Sequence, residues 1–179
     1  MTSRYPPLTW ILKKFRPRHL KPDFQADSLL DVTDELLSKL GVEAVVFDVD
    51  NTLCPHGENQ VAETLEKQFM KLTSNYPSCI LSNTRAPDRE KMIGENTGLK
   101  VISPGVRKPG GEAYQAALDY VGKKPSETVM VGDRLLTDIM GANIAGLKTV
   151  KVKPVDKKTE PLFIKATRII EQFLSALFL

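Results

Sequence analysis

At 179 residues, with 41% hydrophobic and 26% charged residues, the chain has the size and composition of one globular domain with its own core. Its 25 basic and 22 acidic residues leave a net charge of +3. Cys54 and Cys79 are too few for a disulfide framework, which fits a reducing, intracellular setting, and no run approaches the 18 apolar residues that a spanning helix needs.

Residues 1–26 show no period. Pro6, Pro7, Pro17 and Pro22 punctuate basic and aromatic residues, which predicts an extended arm with a short helix around 8–15. The apolar patch at 8–12 is too short for the core of a signal peptide. Arg4, Lys13, Lys14, Arg16, Arg18 and Lys21 give residues 1–22 six positive charges and no acid. Beyond them stand 19 basic against 22 acidic residues, so the basic arm points toward phosphates or anionic lipid.

Thr33 is a predicted N-cap, with Asp34 and Glu35 favourable in the first turn and Gly41 ending the helix. From Glu43 the pattern alternates. Strands are predicted at 44–48, 78–82, 100–103, 128–131 and 149–152. Helices are predicted between them at 61–75, from Pro87 to Gly98, at 111–121 and at 135–145. Five short apolar strands separated by four helices predict a Rossmann-like, doubly wound α/β fold with a parallel sheet. A last amphipathic helix is predicted at 161–179, with Leu162, Ala166, Ile169, Ile170, Phe173, Leu174 and Leu177 in one stripe. That stripe suits packing on the domain, a dimer contact or a membrane contact. The division read from the sequence is an arm at 1–26 and a domain at 27–179, whose catalytic core is 43–153.

Polar residues gather where these strands end. The first strand runs Val45-Val46-Phe47 into Asp48-Val49-Asp50-Asn51-Thr52; the second ends in Ser82-Asn83-Thr84. Arg107-Lys108-Pro109 follows the third, and the fourth ends in Gly132-Asp133 with Asp138 five residues on. Parallel strands bring all four ends to one edge, where ligands of such sheets bind. Two acids close together resist joint ionisation unless a cation compensates. The set fits phosphoryl transfer. Asp48 is the candidate nucleophile and Asp50 the acid that protonates the leaving oxygen and later takes a proton from water. Ser82, Asn83 and Lys108 are candidates to hold the phosphoryl oxygens, with Thr52 beside the nucleophile. Mg²⁺ needs hard oxygen donors, which Asp48, Asp50 (through its carbonyl) and Asp133 supply, with Asp138 as a second-layer or water-mediated partner. Cys54 reads as a packed thiol.

Asp48-Val49-Asp50-Asn51-Thr52 resembles the DxDxT signature of haloacid dehalogenase (HAD) phosphatases, and Ser82, Lys108 and Gly132-Asp133 through Asp138 resemble that superfamily's other three motifs, in order. The resemblance covers 43 to about 153. It implies a Rossmann-like sheet, Mg²⁺, Asp48 as nucleophile and Asp50 as acid/base. The short chain, the Asp31-Val32-Thr33 lead-in, Arg107-Lys108-Pro109 and the run from Gly132 to Asp138 further resemble the YqeG-type phosphatidylglycerophosphate phosphatases of subfamily IIIA.

The intervals Thr52 to Ser82 and Ser82 to Lys108 each hold one helix and its strands, leaving no room for a cap domain. An open site suits a phosphate carried on a lipid head group, a phosphoprotein or a nucleic-acid end. Trp10, Ile11, Leu12 and Phe15 beside the arm's basic residues suit an anionic membrane surface. No nucleic-acid reader is recognisable. The expectation is therefore a peripheral, intracellular phosphatase, on the cytoplasmic side of a membrane, acting on phosphatidylglycerophosphate. A phosphoprotein or small-metabolite phosphatase is the alternative within the class. A non-catalytic lipid- or protein-binding module on the same fold is the alternative outside it.

Overall fold

Strand β2 (Ala44–Phe47) is buried along its whole length, as a continuous apolar run at the centre of a parallel sheet should be. The computed structural model describes residues 11, 13–84, 86–103, 105 and 107–178. Around β2 stand β1 (Phe24–Gln25), β3 (Ser78–Leu81), β4 (Val101–Ile102), β5 (Thr128–Gly132) and β6 (Lys148–Lys151), in the order β1-β6-β5-β2-β3-β4. Every neighbouring pair is parallel. The helices are α1 (Asp34–Leu40), α2 (Glu63–Asn75), α3 (Pro87–Thr97), α4 (Gly111–Val121), α5 (Gly141–Ala145) and α6 (Leu162–Phe178).

Strand alternation splits the core into two layers. Val45 and Phe47 meet Leu37 of α1, Leu65 and Phe69 of α2 and Ile93 of α3 on one face. Ala44 and Val46 meet Ala113, Tyr114 and Ala117 of α4 and Ala142 of α5 on the other. The chain thus forms a doubly wound α/β fold, and among the described residues no cap domain is inserted between its strands. Thr33 caps α1, its Oγ1 accepting from Leu36 N at 3.3 Å, and Gly41 ends it at φ 68°.

The sheet has six strands where the sequence predicts five. β1 is two residues long and exposed at both positions, so it carries neither alternation nor an apolar run. It also ties part of the predicted arm into the domain. Ala26 N donates to Lys151 O at 2.9 Å, and Thr149 N donates to Asp23 Oδ2 at 2.9 Å. Leu20 is buried with Leu135, Ile139 and Met140, and Ile11, Phe15 and Leu174 pack against that cluster. Trp10 and Leu12 lie outside the described residues.

The predicted helix at 135–145 begins as a π-helical segment, Leu135–Met140, before α5. Its wide first turn has Asp138 N and Ile139 N both donating to Arg134 O, at 3.0 and 3.2 Å. Helix α6 meets the domain with its polar side. Thr167, Arg168 and Glu171 face inward, whereas Leu162, Phe163, Ile169, Ile170, Phe173 and Leu177 are exposed. Of the predicted stripe, Leu174 joins the packing described above. Among the described residues no helix is long and apolar enough to cross a membrane.

Candidate active site

Register builds the centre of the site. Phe47 pairs with Val131, and Asp48 N donates to Val131 O at 2.9 Å, so Asp48 leaves the sheet beside Gly132-Asp133. The strand order reverses at β2, and the crevice of a doubly wound sheet lies at that switch point. Gly132 is needed for the approach, because a Cβ there would sit 2.5 Å from that of Asp138.

Lys108, delivered by the loop between β4 and α4, is buried between two carboxylates. Its Nζ donates to Asp48 Oδ1 at 2.6 Å and to Asp138 Oδ1 at 2.8 Å. The other oxygen of Asp138 accepts from Arg134 N at 3.0 Å. Burial pushes the Asp48 carboxyl up to about 7, with the charges of Asp138 and Asp50 adding and Lys108 opposing. Burial, then the charges of Asp48 and Asp138, push Asp133 up to about 8, against the pull of Arg168. Burial alone would lower the Lys108 ammonium, but Asp138 and Asp48 outweigh it and hold it charged.

Lys108 is shared by Asp48 and Asp138, and Arg168 by Asp133 and Glu160, so the carboxylates outnumber the cations that face them. Oxygens of Asp48, Asp133 and Asp138 lie within 4.8 Å of one another, and Asp133 Oδ1 is buried with no hydrogen-bond partner. An orphaned carboxylate oxygen in an all-oxygen donor set fits a hard divalent cation. The side chain of Asp50 is not in this cluster.

Asp50 instead faces a cationic clamp that sequence reasoning missed. Arg89 of α3 grips it with two hydrogen bonds, Nη1 to Oδ2 at 2.9 Å and Nη2 to Oδ1 at 2.8 Å. Gly57 N donates to Oδ1 at 2.8 Å, and His56 Nδ1 lies 3.3 Å from it. Burial raises this carboxyl, but the Arg89 hydrogen bonds and Gly57 outweigh burial and hold it below the ordinary aspartate range.

The other predicted residues are near but engaged. Thr52 is buried, its Oγ1 3.4 Å from Asp48 Oδ2. Ser82 is buried, its Oγ accepting from Thr84 N at 3.1 Å. Asn83, expected to hold phosphate, uses its amide on the next loop: Lys108 N donates to its Oδ1 at 2.9 Å and its Nδ2 donates to Lys108 O at 3.1 Å. It therefore positions Lys108. Burial pushes the thiols of Cys54 and Cys79 up to about 12, so both are packed and inert, in line with the reading of Cys54.

The C-terminal segment completes the walls. Arg168 of α6 pairs with Asp133 and Glu160, and Arg134 Nε pairs with Glu171 Oε1 at 3.1 Å. Asn51, the one non-glycine residue with positive φ (63°) among those described, joins the two sides: its Nδ2 donates to Glu160 Oε1 at 2.7 Å and its Oδ1 accepts from Asp156 N at 2.9 Å. The result is a chamber of about 390 Å³, walled by Asp48, Asp50, Lys108 and Asp133 on the sheet side and by Phe163, Ile164 and Arg168 on the α6 side. Arg89, Arg107 and Arg134 line it as well, so guanidinium groups face the chamber alongside its carboxylates. The open site expected from the sequence is thus partly covered, by a helix rather than a cap.

Such a chamber presents a buried carboxylate beside a charged lysine, a second carboxylate held at the rim, and arginines suited to phosphate oxygens. Comparisons agree with this chemistry. The family described as "Mitochondrial PGP phosphatase" matches residues 10–156. The chain is similar to "Probable phosphatase YqeG" of Bacillus subtilis, 29% identical over 93% of this chain and 94% of that protein. It is similar to "Phosphatidylglycerophosphate phosphatase 1, chloroplastic/mitochondrial" of Arabidopsis thaliana, 28% identical over 84% of this chain, which spans 45% of that protein. Among solved structures it resembles L-2-haloacid dehalogenase of Xanthobacter autotrophicus, with a TM-score of 0.53 at 18% identity over 66% of this chain and 80% of that one. That likeness is one of fold.

Proposed function

The chain belongs to the mitochondrial PGP phosphatase family and is a phosphatase of HAD type, and from that premise we propose that it dephosphorylates phosphatidylglycerophosphate at a membrane surface, with Mg²⁺. The observation that carries this reading is the buried Asp48–Lys108–Asp138 chain with Asp133 beside it, opening on a chamber lined by Arg89, Arg107 and Arg134. Asp48, Asp133 and Asp138 are the residues that would hold the cation, with the Asp50 carbonyl as a further candidate. When bound, Mg²⁺ supplies charge that neutralises the phosphoryl oxygens.

In the proposed reaction a carboxylate oxygen of Asp48 forms a bond to phosphorus while the bond from phosphorus to the glycerol oxygen breaks. Asp50 gives that oxygen its proton. Asp50 then takes a proton from water as the water attacks phosphorus, releasing inorganic phosphate and restoring Asp48. Lys108 faces the developing charge on the transferred group, and Asn83 keeps its loop in place. Arg89 holds Asp50 ionised in the structure, so before the first step Asp50 must take up a proton from solvent as Arg89 turns to the incoming anionic head group.

The chamber wall made by α6 favours a second reading, a compact water-soluble phosphomonoester as substrate. Turnover of phosphatidylglycerophosphate against soluble phosphates, in Mg²⁺ and in EDTA, separates the two. The proposal expects the lipid to be preferred by kcat/KM and EDTA to abolish turnover. Equal or better turnover of soluble phosphates would overturn the lipid assignment.

A further inference from the structure

Helix α6 is inside out for a soluble protein. A helix covering a domain normally turns its apolar stripe inward. Here Arg168 and Glu171 are drawn inward by Asp133, Glu160 and Arg134. With those positions fixed, the opposite face must point away. It presents Leu162, Phe163, Ala166, Ile169, Ile170, Phe173, Ala176 and Leu177, all exposed, and no charged residue. Ile169 and Phe173, one turn apart at its middle, are 69% and 68% exposed. A contiguous apolar face of this kind marks an interaction surface.

We propose that this face docks on an anionic lipid bilayer, with α6 lying in the plane of the interface. The proposal deepens the lipid-substrate reading by naming the surface that meets the bilayer, but its geometry does not depend on the substrate. Charge on the flanks selects the occupant. Lys165 on the helix and Lys157 and Lys158 before it are exposed. Lys13, Arg16 and Arg18 are exposed on the segment whose Phe15 and Ile11 share a cluster with Leu174 of α6. Of the acids of α6 and its entry, Glu171 and Glu160 are buried and Asp156 is half-buried, its Oδ1 accepting from Lys158 N at 2.8 Å. A second copy docked by the same face would bring these cationic flanks together, whereas anionic head groups neutralise them, at about 1 kcal/mol for each basic residue near the surface. Continuity with the chamber gives the orientation, since Phe163 belongs both to the exposed face and to the chamber wall. A bilayer against α6 therefore lies at the mouth of the site.

The test is sedimentation of the full chain with phosphatidylcholine vesicles, with and without phosphatidylglycerol. Wild type should bind the anionic vesicles and not the neutral ones. The double substitution Ile169→Ser and Phe173→Ser should lower the partition coefficient by roughly tenfold or more. Both positions lie outside the chamber, so hydrolysis of p-nitrophenyl phosphate without vesicles should be unchanged and serves as the check on folding. Unchanged vesicle binding by the double variant, or equal binding to neutral vesicles, would overturn the proposal. So would a vesicle-free dimer of wild type that the substitutions dissociate, because it would assign the face to a second copy. Vesicle binding as expected with no turnover of phosphatidylglycerophosphate would instead remove the substrate reading and leave the docking surface standing.

Discussion

The strand-edge cluster and the outer face of α6 break the same rule in opposite directions. At the strand edge three carboxylates and an ammonium are buried; on α6 a row of large apolar side chains faces out. Neither arrangement favours stability for the isolated chain, since buried charge must be compensated and apolar surface prefers to leave water. On the reading proposed above, each has an occupant: at the edge a cation and a phosphoryl group, on α6 an anionic bilayer. The same ion pairs join the two regions, because the contacts that turn the charges of α6 inward also bring Arg168 onto Asp133.

The largest expected effect is at Asp48, the proposed nucleophile. Asp48→Asn should abolish turnover, since an amide does not attack phosphorus. Asp50→Asn should lose roughly 10²–10⁴-fold in kcat, the usual worth of a positioned acid/base. Steady-state rates on a soluble phosphomonoester measure both, and a fully active Asp48→Asn would detach the buried cluster from catalysis.

Next in size is the coupling of stability to metal and pH. Burial, with the neighbouring carboxylates adding, pushes the Asp48 and Asp133 carboxyls up to about 7 and about 8, from the 3.8 of an ordinary aspartate. Between those values the folded chain holds protons that the unfolded chain has released, so metal-free stability should fall as pH rises from about 4 to about 8. Mg²⁺ should reverse this most strongly at the alkaline end, where both carboxylates are ionised. At one hundred times its dissociation constant the gain is about 2.7 kcal/mol, or roughly 5–11 °C in melting temperature at about 2–4 °C per kcal/mol for a domain of this size. Thermal unfolding in EDTA and across a Mg²⁺ titration, at pH 5.5 and 8, is the measurement. Asp133→Asn should blunt the Mg²⁺ response while raising the metal-free melting temperature by relieving repulsion.

A smaller change sharpens the link between the two regions. Arg168→Ala removes the guanidinium from buried Asp133 and Glu160 and should cost about 3 kcal/mol in EDTA. In saturating Mg²⁺ the loss should shrink, because the cation neutralises Asp133. Denaturant unfolding under both conditions checks this, and an equal loss in both would show that Arg168 and the cation do not share Asp133.

The catalytic half of the comparison was legible in the sequence because its residues sit at the ends of apolar runs, where topology alone brings them together. Asp48, Lys108, Asp133 and Asp138 meet as the strand order requires. Arg89 was not legible: it is one charged residue in an ordinary helix, thirty-nine positions from Asp50, and its partner is fixed only by the packing of α3. Arg168 and Glu171 were hidden for another reason. The period of residues 162–178 gives two faces, but which one meets the protein depends on Asp133 and Arg134 waiting underneath. The sixth strand escaped because two exposed residues carry no pattern, and its pairing is backbone to backbone.

The central claim is that Asp48 is the nucleophile of a buried, cation-compensated phosphatase centre. Rapid quenching of turnover in acid with a radiolabelled phosphomonoester, followed by peptide mapping, tests it most directly. Phosphate trapped on Asp48, in Mg²⁺ and not in EDTA, is the expected result. Label on another residue, or turnover that survives Asp48→Asn, would contradict it.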